Sequence, residues 1–155
     1  MKQLKRWNKY VALFFIGSAI AAYYVVLSQF AVNMPYGDEI ATSLIWMNRF
    51  VSSNSLYKQF LMLFSQANEH RLLTNNLATL FDHSMFGELN FVRFLWYGNL
   101  FMLLLLFQFY SFTKNLPNKE WCLLVVALLL FAPQQDVMNW GVVTYASVVF
   151  YTLVV

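Results

Sequence analysis

The chain has few charged residues and a single cysteine. Charged residues make up 11% of its 155 positions, whereas water-soluble domains average about a quarter, so the composition argues against a water-soluble globule. Cys122 has no second cysteine with which to form an internal disulfide, so cysteine usage does not indicate the redox compartment. Beyond the N-terminus the basic residues are scattered rather than aligned in a stripe, which argues against nucleic-acid binding.

Four apolar runs predict an all-α integral membrane protein, a single domain with about four transmembrane helices. Residues 10–32 and 91–112 can each span a bilayer, since a 23-residue helix covers about 34 Å against a hydrocarbon core of about 30 Å. A cleaved signal peptide would have a shorter apolar region. The run at 121–132 covers only about 18 Å, which predicts a short third span in a locally thin bilayer or with snorkelling flanks. The fourth run, 140–155, would end inside the hydrocarbon, so we expect the natural protein to continue.

The distribution of basic residues predicts the orientation of the chain in the membrane. Six of the ten Lys and Arg residues lie in the N-terminal stretch 2–9 and in the turn 113–119. Lys and Arg beside a span favour the cytoplasmic side, so both stretches are expected inside and residues 33–90 outside. The sequence contains no Asn-x-Ser/Thr glycosylation acceptor, which agrees with location in a bacterial plasma (inner) membrane.

The outer segment carries the pattern of amphipathic helices. Apolar residues recur at intervals of three or four in three stretches: 38–51, 55–64 and 71–81. None is long enough to span, so we expect these helices to lie along the outer interface, with Leu44, Phe60 and Leu77 facing lipid or the spans. Asp38 and Ser55 are predicted N-caps.

Two polar clusters begin the first and third of these predicted helices. Asp38 and Glu39 form the first cluster. The second consists of four consecutive residues: Asn68, Glu69, His70 and Arg71. Both clusters are expected near the outer membrane surface, where they can face each other if the middle helix folds back.

The sequence PYGDE, residues 35–39, follows a first span that is preceded by basic residues, and a long loop of amphipathic helices follows in turn. Together with NEHR at 68–71 and APQQDVMNWG at 132–141, this arrangement resembles the start of a GT-C glycosyltransferase. Such enzymes transfer sugars from polyprenyl-phosphate carriers and use an acidic residue early in the first outer loop. Family members have many more spans, so the resemblance implies that this chain is an N-terminal fragment.

The resemblance implies a role for each residue of the two clusters. Asp38 would be the general base that takes the proton from the acceptor hydroxyl, with Glu39 supporting it or binding a cation. Arg71 offers a bidentate fork to the lipid phosphate, His70 assists it, and the remaining members of the second cluster, Asn68 and Glu69, complete the substrate-binding wall. The expected partners are membrane lipids and a polyprenyl-phosphate sugar donor. The cofactor is left open, with a divalent cation as one candidate.

Each of these residues also has a purely structural interpretation. Asp38 can cap a helix, Arg71 can snorkel to lipid phosphates, and His70 can bond a neighbouring carbonyl. Asp82-His83 resembles half of a metal site, but no cysteine or suitably spaced histidine completes it, so no metal site is predicted.

A second class of function also fits the sequence: a small multi-pass membrane protein without catalysis, acting as a partner or assembly factor. Continued spans beyond Val155 would favour the enzyme, and a stop codon there would favour the small protein. Polar residues within the second span, Arg93, Asn99 and Gln108, are expected to anchor or pack helices.

Overall fold

The protein is helical, as predicted. A computed structural model describes residues 2–35, 37–67, 70–71 and 73–132, with the backbone alone at 2–6, 67, 70 and 71. Its helices, in chain order, are α1 (Lys2–Phe30), a π-helix (Ile40–Ile45) that continues into α2 (Trp46–Val51), α3 (Leu56–Leu63), α4 (Leu73–Phe86), α5 (Phe91–Thr113) and α6 (Lys119–Leu130). Two two-residue strands, β1 (Gln66–Ala67) and β2 (His70–Arg71), precede α4.

Helices α1 and α5 are the two described helices long and apolar enough to cross a membrane, over Trp7–Phe30 and Phe91–Thr113. They correspond to the predicted spans 10–32 and 91–112. Asn90 caps α5, because its side-chain oxygen accepts hydrogen bonds from the backbone N–H groups of the second and third residues of the helix. The side chain of Asn33 accepts a hydrogen bond from Phe91 N at 2.8 Å, which holds the end of α1 beside the start of α5.

Helix α6 packs against both long helices but is too short to span. Its apolar residues join those of α1 and α5 in one core, with Leu27, Met102 and Ala127 among the buried members. Beyond its end, the ring of Phe131 lies 5.6 Å from that of Tyr23. Tyr23 precedes the end of α1 by seven residues, so α6 stops about 10 Å short of that end. The predicted fourth span at 140–155 lies outside the described residues.

Hydrogen bonds between α1 and α5 hold the middle of this bundle, as predicted for Asn99. Its side-chain oxygen accepts from the Tyr23 hydroxyl, and its backbone carbonyl accepts from the Tyr24 hydroxyl at 2.8 Å. The Tyr24 ring stacks on Trp96 at 5.5 Å between centroids. Such bonds hold transmembrane helices together where lipid offers polar groups no alternative partner.

Three helical stretches in the 33–90 segment lie close to the predicted positions, with two differences at their starts. Ser55 caps α3 as predicted, because its hydroxyl accepts from Lys58 N. The first stretch opens as a π-helix capped by Glu39, whose side chain makes no capping bond, so the Asp38 cap was wrong. The third helix begins at Leu73 rather than at 71, because the backbone of His70 and Arg71 pairs with Ala67 and Gln66 in an antiparallel ladder.

Two helices of this segment, α4 and the π-helix, have their polar faces inside and apolar residues outside, whereas α2 buries the apolar Trp46 and Met47. The residues that α4 buries are all polar: Asn75, Asn76, Thr79 and Asp82. Its apolar residues Leu77, Phe81 and Met85 are exposed, and α3 buries no residue at all. The predicted lipid-facing residues Leu44, Phe60 and Leu77 are 38%, 58% and 46% exposed. A water-soluble domain normally shows the opposite arrangement.

Candidate functional site

The polar faces of two helices meet in the 33–90 segment and form a buried polar seam. One face belongs to the π-helix and its flanks, where Glu39, Thr42 and Ser43 are buried. These residues are three and four positions apart, so they share one side of the helix. The other face is the polar stripe of α4. We call these two facing surfaces the polar seam.

Side-chain amides of α4 bind the backbone across the seam. The Asn75 amide nitrogen donates to Thr42 O at 3.2 Å and approaches the Ser43 hydroxyl at 3.5 Å. One residue later, Asn76 donates to Leu63 O at 3.0 Å, at the end of α3. Trp46 Nε1 donates to the neighbouring Met62 O at the same distance. The carbonyls at the end of a helix lack intrahelical partners, and Asn76 supplies a donor to the one at the end of α3.

These bonds fix the relative direction of the two helices. Asn76 and Trp46 both donate to Met62 O. Asn75 lies beside Thr42 and Ser43. The next turn of α4 therefore approaches the start of the π-helix. Among the described residues, Asn75 Oδ1 and Thr79 Oγ1 are buried without a hydrogen-bond partner, which leaves two oxygen atoms in the seam able to accept one.

The acidic pair is divided between surface and interior. Asp38 is exposed, and its backbone carbonyl accepts from Ala41 N, Thr42 N and the Thr42 hydroxyl. Glu39 is only 1% exposed. A general base must reach its substrate within hydrogen-bonding distance. Of the two predicted catalytic residues, Asp38 alone is therefore placed where it can meet a substrate directly.

The second predicted cluster is described only in part. His70 and Arg71 lie in β2, directly before α4, and their backbone pairs with β1 in the register Gln66–Arg71 and Ala67–His70. Asn68 and Glu69 lie outside the described residues, and for His70 and Arg71 the backbone alone is described. The expectation that the two polar clusters face each other stays a prediction.

A bidentate ion pair joins the end of α4 to the start of α5. Arg93 Nε lies 2.8 Å from Asp82 Oδ1, and Arg93 Nη2 donates to Asp82 Oδ2 at 3.3 Å. The same carboxylate accepts from Asn90 N at 2.9 Å. Asp82 is fully buried, so these partners compensate its charge. The anchoring role predicted for Arg93 is confirmed, and Asp82, considered as half of a metal site, is part of this anchor.

The predicted site omitted the residues that form the seam on α4. Asn75, Thr79 and Asp82 recur at intervals of four and three, which is the spacing of one helix face. The signal was therefore present in the sequence as a polar stripe opposite Leu77 and Phe81. A polar stripe on an amphipathic helix is usually its water-facing side, so the spacing alone does not mark this stripe as a face that packs.

The described residues contain no group of three or more His, Cys, Asp or Glu side chains able to hold a metal ion. Comparison with known proteins gives no further assignment, since no protein-family model, no curated protein and no solved structure matches the chain. The candidate site is thus defined by the chain's own structure: the exposed Asp38, followed in the chain by Glu39 of the buried polar seam.

Proposed function

We propose that this chain is an integral protein of the bacterial inner membrane, with α1 and α5 as spans and the 33–90 segment lying at the outer interface. The π-helix and α4 support this location, because they bury polar residues and expose apolar ones. Large apolar side chains exposed as a continuous face are unfavourable in water but favourable against lipid. A cytoplasmic N-terminus follows from the basic residues at the start of α1 and after α5.

Labelling of single cysteines tests this orientation. In a Cys122→Ser background, Asn54→Cys should react with an impermeant maleimide in intact cells, because it lies in the outer segment. Leu116→Cys, in the turn between α5 and α6, should react only after the membrane is permeabilised. Both native residues are exposed, so burial does not limit either reaction. Labelling of position 116 but not position 54 in intact cells would reverse the topology.

For the activity, we propose a membrane glycosyltransferase module that takes a sugar from a polyprenyl-phosphate carrier at the outer face. In this proposal Asp38 is the general base, Glu39 supports it from the seam, and His70 and Arg71 hold the lipid phosphate beside Asn68 and Glu69. The observation that carries the proposal is the exposed Asp38, which precedes the buried seam residue Glu39 in the chain, together with seam oxygens on Asn75 and Thr79 that lack described partners. Buried polar groups without partners are costly, and a catalytic role or a bound water or ion is among the reasons that proteins retain them.

The alternative function is a non-catalytic multi-pass protein that acts as a partner or assembly factor. The observation in its favour is that much of the seam serves internal packing. Asn75, Asn76 and Trp46 all donate to backbone carbonyls, and Asp82 is used by Arg93. Polar side chains of this kind can hold helices together without binding anything else.

Mass spectrometry of lipid extracts distinguishes the two functions. If the protein consumes a lipid-linked sugar, cells that lack its gene should accumulate a polyprenyl phosphate with an added sugar mass, and the intact gene should restore the normal level. The method does not require the sugar or acceptor to be known beforehand. A lipid-linked sugar profile that is the same with and without the gene would contradict the glycosyltransferase and favour the partner function.

A further inference from the structure

The corner formed by α2 and α3 is the most exposed apolar part of the 33–90 segment. We call residues 46–64 the α2–α3 hairpin. It is held by polar bonds: Gln59 Nε2 donates to Phe50 O at 3.1 Å and Ser53 O at 3.0 Å, and Trp46 donates to Met62 O. Its outer face is apolar and exposed: Leu56 and Tyr57 are 85% and 72% exposed.

The α2–α3 hairpin carries two cations, and its sequence contains no carboxylate. Arg49 and Lys58 are its only charged residues, and both are exposed. Among the described residues neither side chain has an ion-pair or hydrogen-bond partner, in contrast to Arg93, which binds Asp82 and Glu88. The hairpin therefore combines an apolar face with a net charge of +2 from its two cations.

We propose that the α2–α3 hairpin binds anionic phospholipids, with its apolar face in the acyl region and Arg49 and Lys58 on the headgroup phosphates. Charge complementarity selects this partner. A protein groove rich in carboxylates would also attract the cations, but an apolar face beside them fits a lipid headgroup that carries its own acyl chains. Amphipathic helices with basic polar faces bind membranes in this way, and Arg and Lys bind phosphate oxygens directly. The proposal rests on the membrane location proposed above.

The test uses the full chain in vesicles of equal parts phosphatidylglycerol and phosphatidylcholine, with the photoreactive residue benzoylphenylalanine in place of Tyr57. Irradiation followed by mass spectrometry counts the adducts of each lipid. Phosphatidylglycerol adducts should predominate. The ratio of phosphatidylglycerol to phosphatidylcholine adducts should rise by at most roughly fivefold for each cation, because each Lys or Arg at an anionic surface contributes about 1 kcal/mol. The double variant Arg49→Gln/Lys58→Gln should give the two lipids equally.

The matched control removes two exposed cations from the opposite end of the bundle, Lys9→Gln/Lys114→Gln, and should keep the preference at position 57. In the unaltered chain, raising the salt concentration to about 0.5 M should weaken the preference, because exposed charges are screened. The salt experiment uses the unaltered chain, so its result does not depend on whether a charge variant folds. Equal adducts in the unaltered chain at low salt, or a preference that survives loss of both Arg49 and Lys58, would overturn the proposal.

A second photoreactive position separates this inference from the membrane location. Phe107 is exposed on α5, within a predicted span. Lipid adducts at position 107 but none at 57 would leave α5 in the membrane and overturn only the lipid-binding hairpin. If neither position gives lipid adducts, the membrane location itself fails, and the hairpin proposal fails with it.

Discussion

Asp38→Asn in the full-length protein should lower sugar transfer by about 10²–10⁴-fold, the usual loss when a general base is removed. The amide of asparagine cannot accept the proton of the acceptor hydroxyl. Folding should be unaffected, because the hydrogen bonds of Asp38 with Ala41 and Thr42 come from its backbone carbonyl, which asparagine keeps. The measurement is the lipid-linked sugar level in cells that express only the variant, with its amount in the membrane fraction determined in parallel.

Glu120→Gln provides the matched control for this substitution. It makes the same change from carboxylate to amide, in the first turn of α6, at the end of the bundle away from the 33–90 segment. This variant should restore the normal lipid profile in full. Transfer that is unchanged in Asp38→Asn would remove Asp38 from the mechanism. Loss of Asp38→Asn from the membrane fraction would instead show that Asp38 stabilises the fold, contrary to its exposure.

Asp82→Ala should markedly destabilise the junction of α4 and α5. It removes the acceptor of Asn90 N and of both Arg93 contacts at once. Leaving one partially buried N–H without an acceptor costs roughly 1–3 kcal/mol by itself, and loss of the ion pair adds to it. Thermal unfolding in detergent, followed by circular dichroism, should show a lower midpoint than the unaltered chain.

Glu88→Ala is the matched control because it removes the other carboxylate that contacts Arg93. Glu88 Oε1 lies 3.5 Å from Arg93 Nη1, and the side chain is 69% exposed. Exposed ion pairs contribute little to stability, so the midpoint should stay close to that of the unaltered chain. Equal midpoints for Asp82→Ala and Glu88→Ala would contradict the anchoring role assigned to Asp82.

Much of the helical structure was predictable because it depends on neighbouring residues. The two long apolar runs predict α1 and α5, and Ser55 before α3 is a local capping signal. The β-ladder was not predictable in this way. Gln66 and Arg71 are five residues apart, and the polar stretch between them is equally compatible with a helix N-terminus, so only backbone pairing places His70 and Arg71 outside α4.

The candidate site was predicted less completely than the helices. Asp38 was identified from its place after the first span, but nothing in PYGDE distinguishes the exposed Asp38 from the buried Glu39. The partners in the seam are distant in sequence: Asn75 and Thr42 are 33 residues apart. No local pattern reports which strand or helix will lie opposite a given asparagine, so these contacts appear only when the chain is folded.

Periodicity in the sequence was sufficient to predict that α4 has one polar and one apolar face, since a 3.6-residue repeat separates Asn75 and Thr79 from Leu77 and Phe81. It could not decide which face is buried. The same repeat is found in a helix of a water-soluble protein, which buries its leucines, and in a helix that buries its asparagines against another polar helix. That choice depends on the neighbour and on the surrounding solvent. Only the tertiary structure turns the polar faces of α4 and the π-helix toward each other and leaves their apolar faces outside.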